Sequence, residues 1–173
     1  MLSFSYLFTP LAMKVDKIFL AGLPGTGKTE FGKFLFEKYG FSHFDLEENN
    51  WPQSELREIW NQSRGDFIAK LKSKKTILNW GFPASYSNWV KEILDNGFSF
   101  IWFTGKEECA RKWFLKKKND PLIENFDAQV HLIRQNDLPR SLGYPFIQVN
   151  VFEDDCEFKS YEEILRLIKG DSK

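Results

Sequence analysis

The sequence predicts a three-layer α/β/α sandwich built on a mainly parallel, five-stranded sheet. Three observations carry that expectation. Short runs rich in apolar, β-branched and aromatic residues alternate with segments of helical periodicity, the pattern of parallel strands covered on both faces. Residues 98–103 (Phe-Ser-Phe-Ile-Trp-Phe) form an apolar and aromatic run of the kind found in a strand buried on both sides. A glycine-rich segment, Gly22-Leu23-Pro24-Gly25-Thr26-Gly27-Lys28-Thr29, follows the apolar run Ile18-Phe19-Leu20-Ala21 and precedes a helical pattern.

Each element has its own local signal. Residues 17–21 read as the first strand. Residues 28–39 read as a helix with Phe31, Phe34 and Leu35 on one face, stopped by Gly40 as a left-handed cap. Residues 41–46 are a short strand closing on Asp45. Residues 54–61 and 66–72 read as two short helices, the second after the Arg64-Gly65 turn. The third strand is expected at 76–80, then a helix at 88–96 stopped by Gly97, and the fourth strand at 98–103. A basic amphipathic helix at 106–118 is interrupted at Asn119-Asp120-Pro121. Residues 123–135 read as helix, 147–152 as the last strand and 160–169 as the closing helix. Residues 1–12 are mostly apolar and carry neither charge nor the n-region and cleavage site of a secretory signal. Either Met13 is the natural start or residues 1–12 are a loosely attached extension, and residues 13–173 are read as a single domain.

Composition narrows the function classes. With 173 residues, 42% hydrophobic and 28% charged, the chain is long enough for one substantial core. A formal net charge of +0 gives no overall field toward nucleic acid or membrane, and no stretch is long enough to span a bilayer. The 18 Phe and 6 Trp are assigned to an aromatic-rich core. Cys109 and Cys156 lack metal or redox spacing and are read as reduced thiols of a cytoplasmic protein. With His43 and His131 they are expected in or near the core, not around a zinc ion.

Gly22 to Thr29 matches G-x-x-x-x-G-K-[ST] in full and in the strand–loop–helix context the motif requires. Its glycines let successive N–H groups turn inward, and the helix start adds its dipole, so the segment suits a chain of phosphates. Lys28 is placed to reach the β- and γ-phosphates and the Thr29 hydroxyl to hold Mg²⁺. ATP and Mg²⁺ are the expected cofactors.

The arrangement resembles the small P-loop kinases, which include shikimate, gluconate, adenylate and nucleoside kinases and the kinase domain of polynucleotide kinases. Four stretches carry the likeness. These are Gly22 to Thr29, Phe44-Asp45-Leu46-Glu47, Trp80-Gly81-Phe82-Pro83, and Arg111 with Lys112, Lys116, Lys117 and Lys118 before Pro121-Leu122. The second is similar to the acidic end of strand 2 in shikimate and gluconate kinases. The third is similar to the D-G-F-P segment of adenylate kinases, and the fourth to a lid. The resemblance implies a P-loop NTPase fold and ATP-dependent transfer to a hydroxyl or phosphate acceptor. It implies an acceptor-binding insertion near 49–73 and a lid near 106–125. It gives Asp45 to the acceptor hydroxyl or the metal, and Arg111 to charge stabilisation. Arg134, before the last strand, falls to the nucleotide, with Arg140 beside it.

One departure is visible. Where many P-loop enzymes end strand 3 on an Asp, this chain has Trp80, or Asn79 with a one-residue shift. The carboxylate must then come from Asp45 or Glu47. Arg57, Arg64, Trp51 and Trp60 lie in the acceptor insertion, with surface or core roles weighed above binding ones. The leading expectation is a kinase acting on a small-molecule acceptor; a sensor or scaffold that binds nucleotide with little turnover is the rival. A 5′-hydroxyl polynucleotide acceptor is kept open, although the balanced charge gives little footprint for one. No N-K-x-D guanine motif occurs, which sets a GTPase aside.

Overall fold

The computed structural model describes residues 16–47, 54–71, 75–117 and 123–170. The expectations for residues 1–12, Met13, Trp51, Lys72 and residues 118–122 lie outside them. Among the described residues the element order is β1 (Lys17–Gly22), α1 (Lys28–Tyr39), β2 (Ser42–Asp45), α2 (Ser54–Gln62), α3 (Arg64–Lys70) and β3 (Thr76–Asn79). It continues with α4 (Ser87–Asp95), β4 (Ser99–Thr104), α5 (Glu107–Lys117), α6 (Ile123–Gln135), β5 (Ile147–Asn150) and α7 (Tyr161–Lys169). Short 3₁₀ turns at Ala84–Tyr86 and Arg140–Leu142 precede α4 and β5.

The five strands pair in the order β2-β3-β1-β4-β5, every pair parallel. All strand C-termini therefore open on one edge, which is where ligands sit in sheets of this kind. Alternation along each strand divides the side chains between two cores. Ile18 and Leu20 join Ile101 and Phe103 on the face covered by α1, α5, α6 and α7. Phe19 and Ala21 join Phe100 and Trp102 on the other face, with Phe67 of α3 and Val90 and Ile93 of α4. Both faces are apolar, as the unbroken run at β4 requires.

Local signals set the helix ends. Gly40 takes the left-handed conformation at φ 69° and its N–H returns to the carbonyls of Leu35 and Phe36. The Ser63 and Ser160 hydroxyls accept the N–H groups of Asp66 and Glu163, capping α3 and α7. The Ser63 cap moves the start of α3 to Arg64, two residues ahead of the sequence expectation. β5 ends at Asn150, sooner than expected, because Asn150 Oδ1 accepts the Phe152 N–H at 3.2 Å and turns the chain. Phe152 instead forms an isolated bridge with Phe158.

Two expectations are corrected. Cys109 and Cys156 are not free thiols; they form a disulfide with Cα atoms 4.9 Å apart. Their separation of 47 residues carries no sequence signal, and only the fold brings α5 beside the turn after β5. The argument for a reducing, cytoplasmic setting from unpaired cysteines goes with it. His131 is exposed on α6, whereas His43 is half-buried and Cys109 fully buried.

Candidate functional site

The glycine-rich loop between β1 and α1 lies at the open edge of the sheet. Gly22 has φ 145°, and a Cβ there would land on the Phe103 backbone of β4. Leu23 N–H donates to the Phe103 carbonyl at 3.0 Å and fixes the loop's departure. Gly25 has φ 76° and approaches so closely that a Cβ would strike the Ala110 carbonyl of α5. Only glycine satisfies both the backbone angle and the space there. Thr26, 1% exposed, donates its hydroxyl to the Leu23 carbonyl at 2.7 Å and closes the turn from inside.

Lys28 opens α1 and folds back over the loop, donating to the carbonyls of Leu23 at 2.9 Å and Gly22 at 3.4 Å. The next residue, Thr29, donates its hydroxyl to Asp45 Oδ2 at 2.6 Å. Asp45 is the last residue of β2 and is 6% exposed. Its other oxygen accepts the Glu47 N–H at 3.1 Å, so both carboxylate oxygens are held. A buried carboxylate is thus set against the loop hydroxyl by two separate elements. Thr29 Oγ1 and Asp45 Oδ2 are hard oxygen donors side by side, the donor chemistry that suits a small divalent cation completed by phosphate oxygens and water. Among the described residues no group of three or more His, Cys, Asp and Glu side chains gathers to hold a metal.

The end of β3 carries no carboxylate of its own. Asn79 pairs in register with Asp45, is 2% exposed and is bonded through its side chain to His43. Trp80 places its backbone N–H on the Leu20 carbonyl at 3.0 Å and its ring among the core indoles. The acidic group at this strand end comes from the turn after β2, where Glu47 Oε1 accepts the Gly81 N–H at 2.8 Å. That tie between Glu47 and Gly81 is invisible in the sequence, because 34 residues separate the partners.

The arginines divide. Arg111 follows Ala110, whose carbonyl abuts Gly25, so α5 carries it beside the loop. Its guanidinium lies over the Phe126 ring and is paired with Asp127 of α6 and with Glu107, the latter at 3.6 Å. Arg134 pairs with the same Glu107 and has a side chain 71% exposed. The two arginines expected on nucleotide and phosphate therefore share one carboxylate at the α5–α6 seam. Arg140 is exposed beside Asp137. On α2, Arg57 donates to the Leu46 carbonyl at 3.2 Å. Arg64 stacks on Trp89 and approaches Trp60, within an aromatic group that includes Trp80. Burial there pulls its guanidinium below the ordinary value, opposed by Glu92 and Tyr86. Trp60 is a core residue, 4% exposed.

A cavity of about 100 Å³ opens beside Gly22, between the ends of β1, β3 and β4 and the flank of α6. A larger groove of about 460 Å³ lies on α2 and α3, and none of its lining residues belongs to the loop or the strand ends.

Comparison with solved structures places this architecture. The chain superposes on the shikimate kinase from Acinetobacter baumannii in complex with shikimate with a TM-score of 0.58 and 20% identity, covering 92% of this chain and 96% of that one. A gluconokinase from Sinorhizobium meliloti 1021 gives 0.55 and 14%, over 91% and 92%. Shikimate kinase from Bacteroides thetaiotaomicron gives 0.54 and 17%, over 89% and 94%. The chain has the fold of the small P-loop kinases. No family model and no curated protein matches it by sequence.

Proposed function

We propose that this protein is an ATP-dependent phosphotransferase that moves the γ-phosphoryl group to a hydroxyl of a small molecule. The observation that carries this is the 2.6 Å contact between Asp45 and Thr29 at the mouth of the phosphate loop. A buried carboxylate beside the loop hydroxyl supports Asp45 as the group that takes the acceptor proton and Thr29 as the hydroxyl that would hold Mg²⁺. When bound, ATP supplies the phosphoryl group and Mg²⁺ neutralises charge on it. The loop from Gly22 to Thr29 binds the phosphates through its N–H groups, and Lys28 exchanges the two loop carbonyls for phosphate oxygens. Asp45 orients the acceptor hydroxyl and accepts its proton, while Glu47 holds the Gly81 turn in place. Arg111 stabilises transferring charge once it leaves Asp127; Arg134 is the second cation of that seam. Positioning and positive charge are the main means by which phosphoryl transfer is catalysed.

A second reading, a nucleotide-binding sensor or scaffold with little turnover, is favoured by one observation. Asn79, at the end of β3, is neutral and occupied by His43. The two are separated by measuring ADP release with saturating ATP·Mg²⁺ against a panel of acceptors. The panel contains shikimate, gluconate, other hydroxylated metabolites, nucleosides and 5′-hydroxyl oligonucleotides. Acceptor-stimulated release supports the phosphotransferase. Tight ATP binding without stimulation by any member supports the sensor. Among the described residues no helix is long and apolar enough to cross a membrane.

A further inference from the structure

The wall of the cavity beside Gly22 limits what the acceptor can be. Trp80 and Phe82, just past β3, and Trp102 of β4 form one side, each less than one-tenth exposed. Gln129 and Leu132 of α6 form the other. Among the described lining residues no side chain is ionisable. Leu132 is 46% exposed, an apolar side chain standing at the rim of a cleft that faces the phosphate loop. A carboxylate entering this space would lose its water without gaining a described cation, an expensive exchange. An aromatic ring would gain offset or edge contacts with two indoles and a phenyl ring. The volume of about 100 Å³ is below that of the apolar cavity of roughly 150 Å³ that takes up benzene, so this cleft, open at its Leu132 rim, accommodates no more than a single ring. The Gln129 amide offers an NH₂ that donates to a ring nitrogen or ring carbonyl and a carbonyl oxygen that accepts from a ring N–H or ring amine.

We propose that the acceptor is a neutral, single-ring heteroaromatic compound bearing a hydroxyl on a short arm. The ring is seated between Trp80, Trp102 and Leu132, with its heteroatoms on Gln129. The proposal rests on the phosphotransferase function above and narrows its acceptor. The hydroxyl arm leaves the ring toward the loop, whose first residue, Gly22, lines the cavity. In the transfer, the acceptor oxygen forms the new P–O bond as the bond from the γ-phosphorus to the bridging oxygen breaks. ADP leaves with that electron pair, and the hydroxyl proton passes to Asp45.

The test reads binding and turnover separately. The protein is loaded with a non-hydrolysable ATP analogue and Mg²⁺. A hydroxymethylpyrimidine, a hydroxymethylpyridine, gluconate and shikimate are then titrated by calorimetry and by saturation-transfer NMR. The expected result is binding of at least one ring compound, with saturation strongest on ring protons, and none of the carboxylated polyols. Leu132→Glu and Gln129→Leu alter side chains on the exposed flank of α6, so the fold is retained. They should weaken the ring compound by roughly tenfold and roughly fivefold, in the range for a mismatched wall and a lost hydrogen bond, with ATP affinity unchanged. Binding of gluconate or shikimate in place of the ring compounds, or of none of the four, overturns the acceptor class while leaving ATP binding intact. Ring binding that survives both substitutions unchanged also overturns it. Turnover is read as ADP release when ATP replaces the analogue, and ring binding without that release supports the cavity assignment and counts against the phosphotransferase function.

Discussion

Asp45 is buried, yet both of its carboxylate oxygens are bonded, one to the Thr29 hydroxyl and one to the Glu47 N–H. A buried carboxylate kept in this way is oriented before any ligand arrives, which is the geometry a general base needs. Asp45→Asn preserves the shape and the hydrogen bond to Thr29 but cannot take a proton. It should cut acceptor-stimulated turnover by roughly 10² to 10⁴ and change ATP affinity little, as steady-state kinetics beside calorimetry will show. Arg111 poses a different question, because its charge is already shared with Asp127 and Glu107. If it moves to the transferring phosphoryl group, Arg111→Ala lowers kcat more than it raises KM for ATP. Equal effects on kcat and kcat/KM fit that role, whereas a change in KM alone would place the arginine in ground-state binding. Lys28, Thr29 and Asp45 were legible in the sequence because each belongs to a compact motif at a strand end. The bond from Glu47 to Gly81 and the sharing of Glu107 by two arginines were not, since both depend on contacts between distant segments.

At the scale of elements, α5 is tied to its surroundings by more than packing. The Cys109–Cys156 disulfide joins its first turn to the segment after β5, and Trp113 Nε1 donates to the Cys156 carbonyl at 2.7 Å. From the same segment Phe158 packs on Trp113 and stands over Gly27 of the phosphate loop. Closing a loop of 47 residues stabilises the fold by roughly 4 kcal/mol in the chain-entropy account. Cys156→Ser should therefore lower Tm by roughly 10 °C in a chain of this size, and a reductant should lower the wild type by a similar amount. No response to reductant in differential scanning calorimetry would mean that the bond is absent in solution. Helices and strands are legible in the sequence to within two residues at each end, because Gly40 and Gly97 punctuate them and the β4 run admits one interpretation. The disulfide escaped because sequence spacing says nothing about a bridge that the tertiary fold alone brings together. The early start of α3 escaped for a related reason: the Ser63 cap was hidden behind the more obvious Arg64-Gly65 turn.

The whole molecule is a parallel sheet whose open edge gathers the loop after β1, the acid at the end of β2, the aromatic turn after β3 and the cationic seam of α5 and α6. Parallel order and helical crossovers place these on the same side, so four segments far apart in sequence lie at the edge of the sheet that carries the cleft beside Gly22. The fold class followed from the alternation of strands and helices; the order β2-β3-β1-β4-β5 required the structure, since no sequence pattern states which strands are neighbours. The central claim is that this cleft binds ATP through the loop from Gly22 to Thr29, and the melting temperature with and without ATP·Mg²⁺ tests it most directly. A ligand held only by the folded state at a hundredfold excess over Kd stabilises by about 2.7 kcal/mol, which corresponds to roughly 5 to 10 °C here. The wild type should show that shift, and Lys28→Ala should lose most of it while melting, without ligand, near the wild-type temperature. An undiminished shift in Lys28→Ala, or none in the wild type, would contradict the assignment of the loop as the phosphate site.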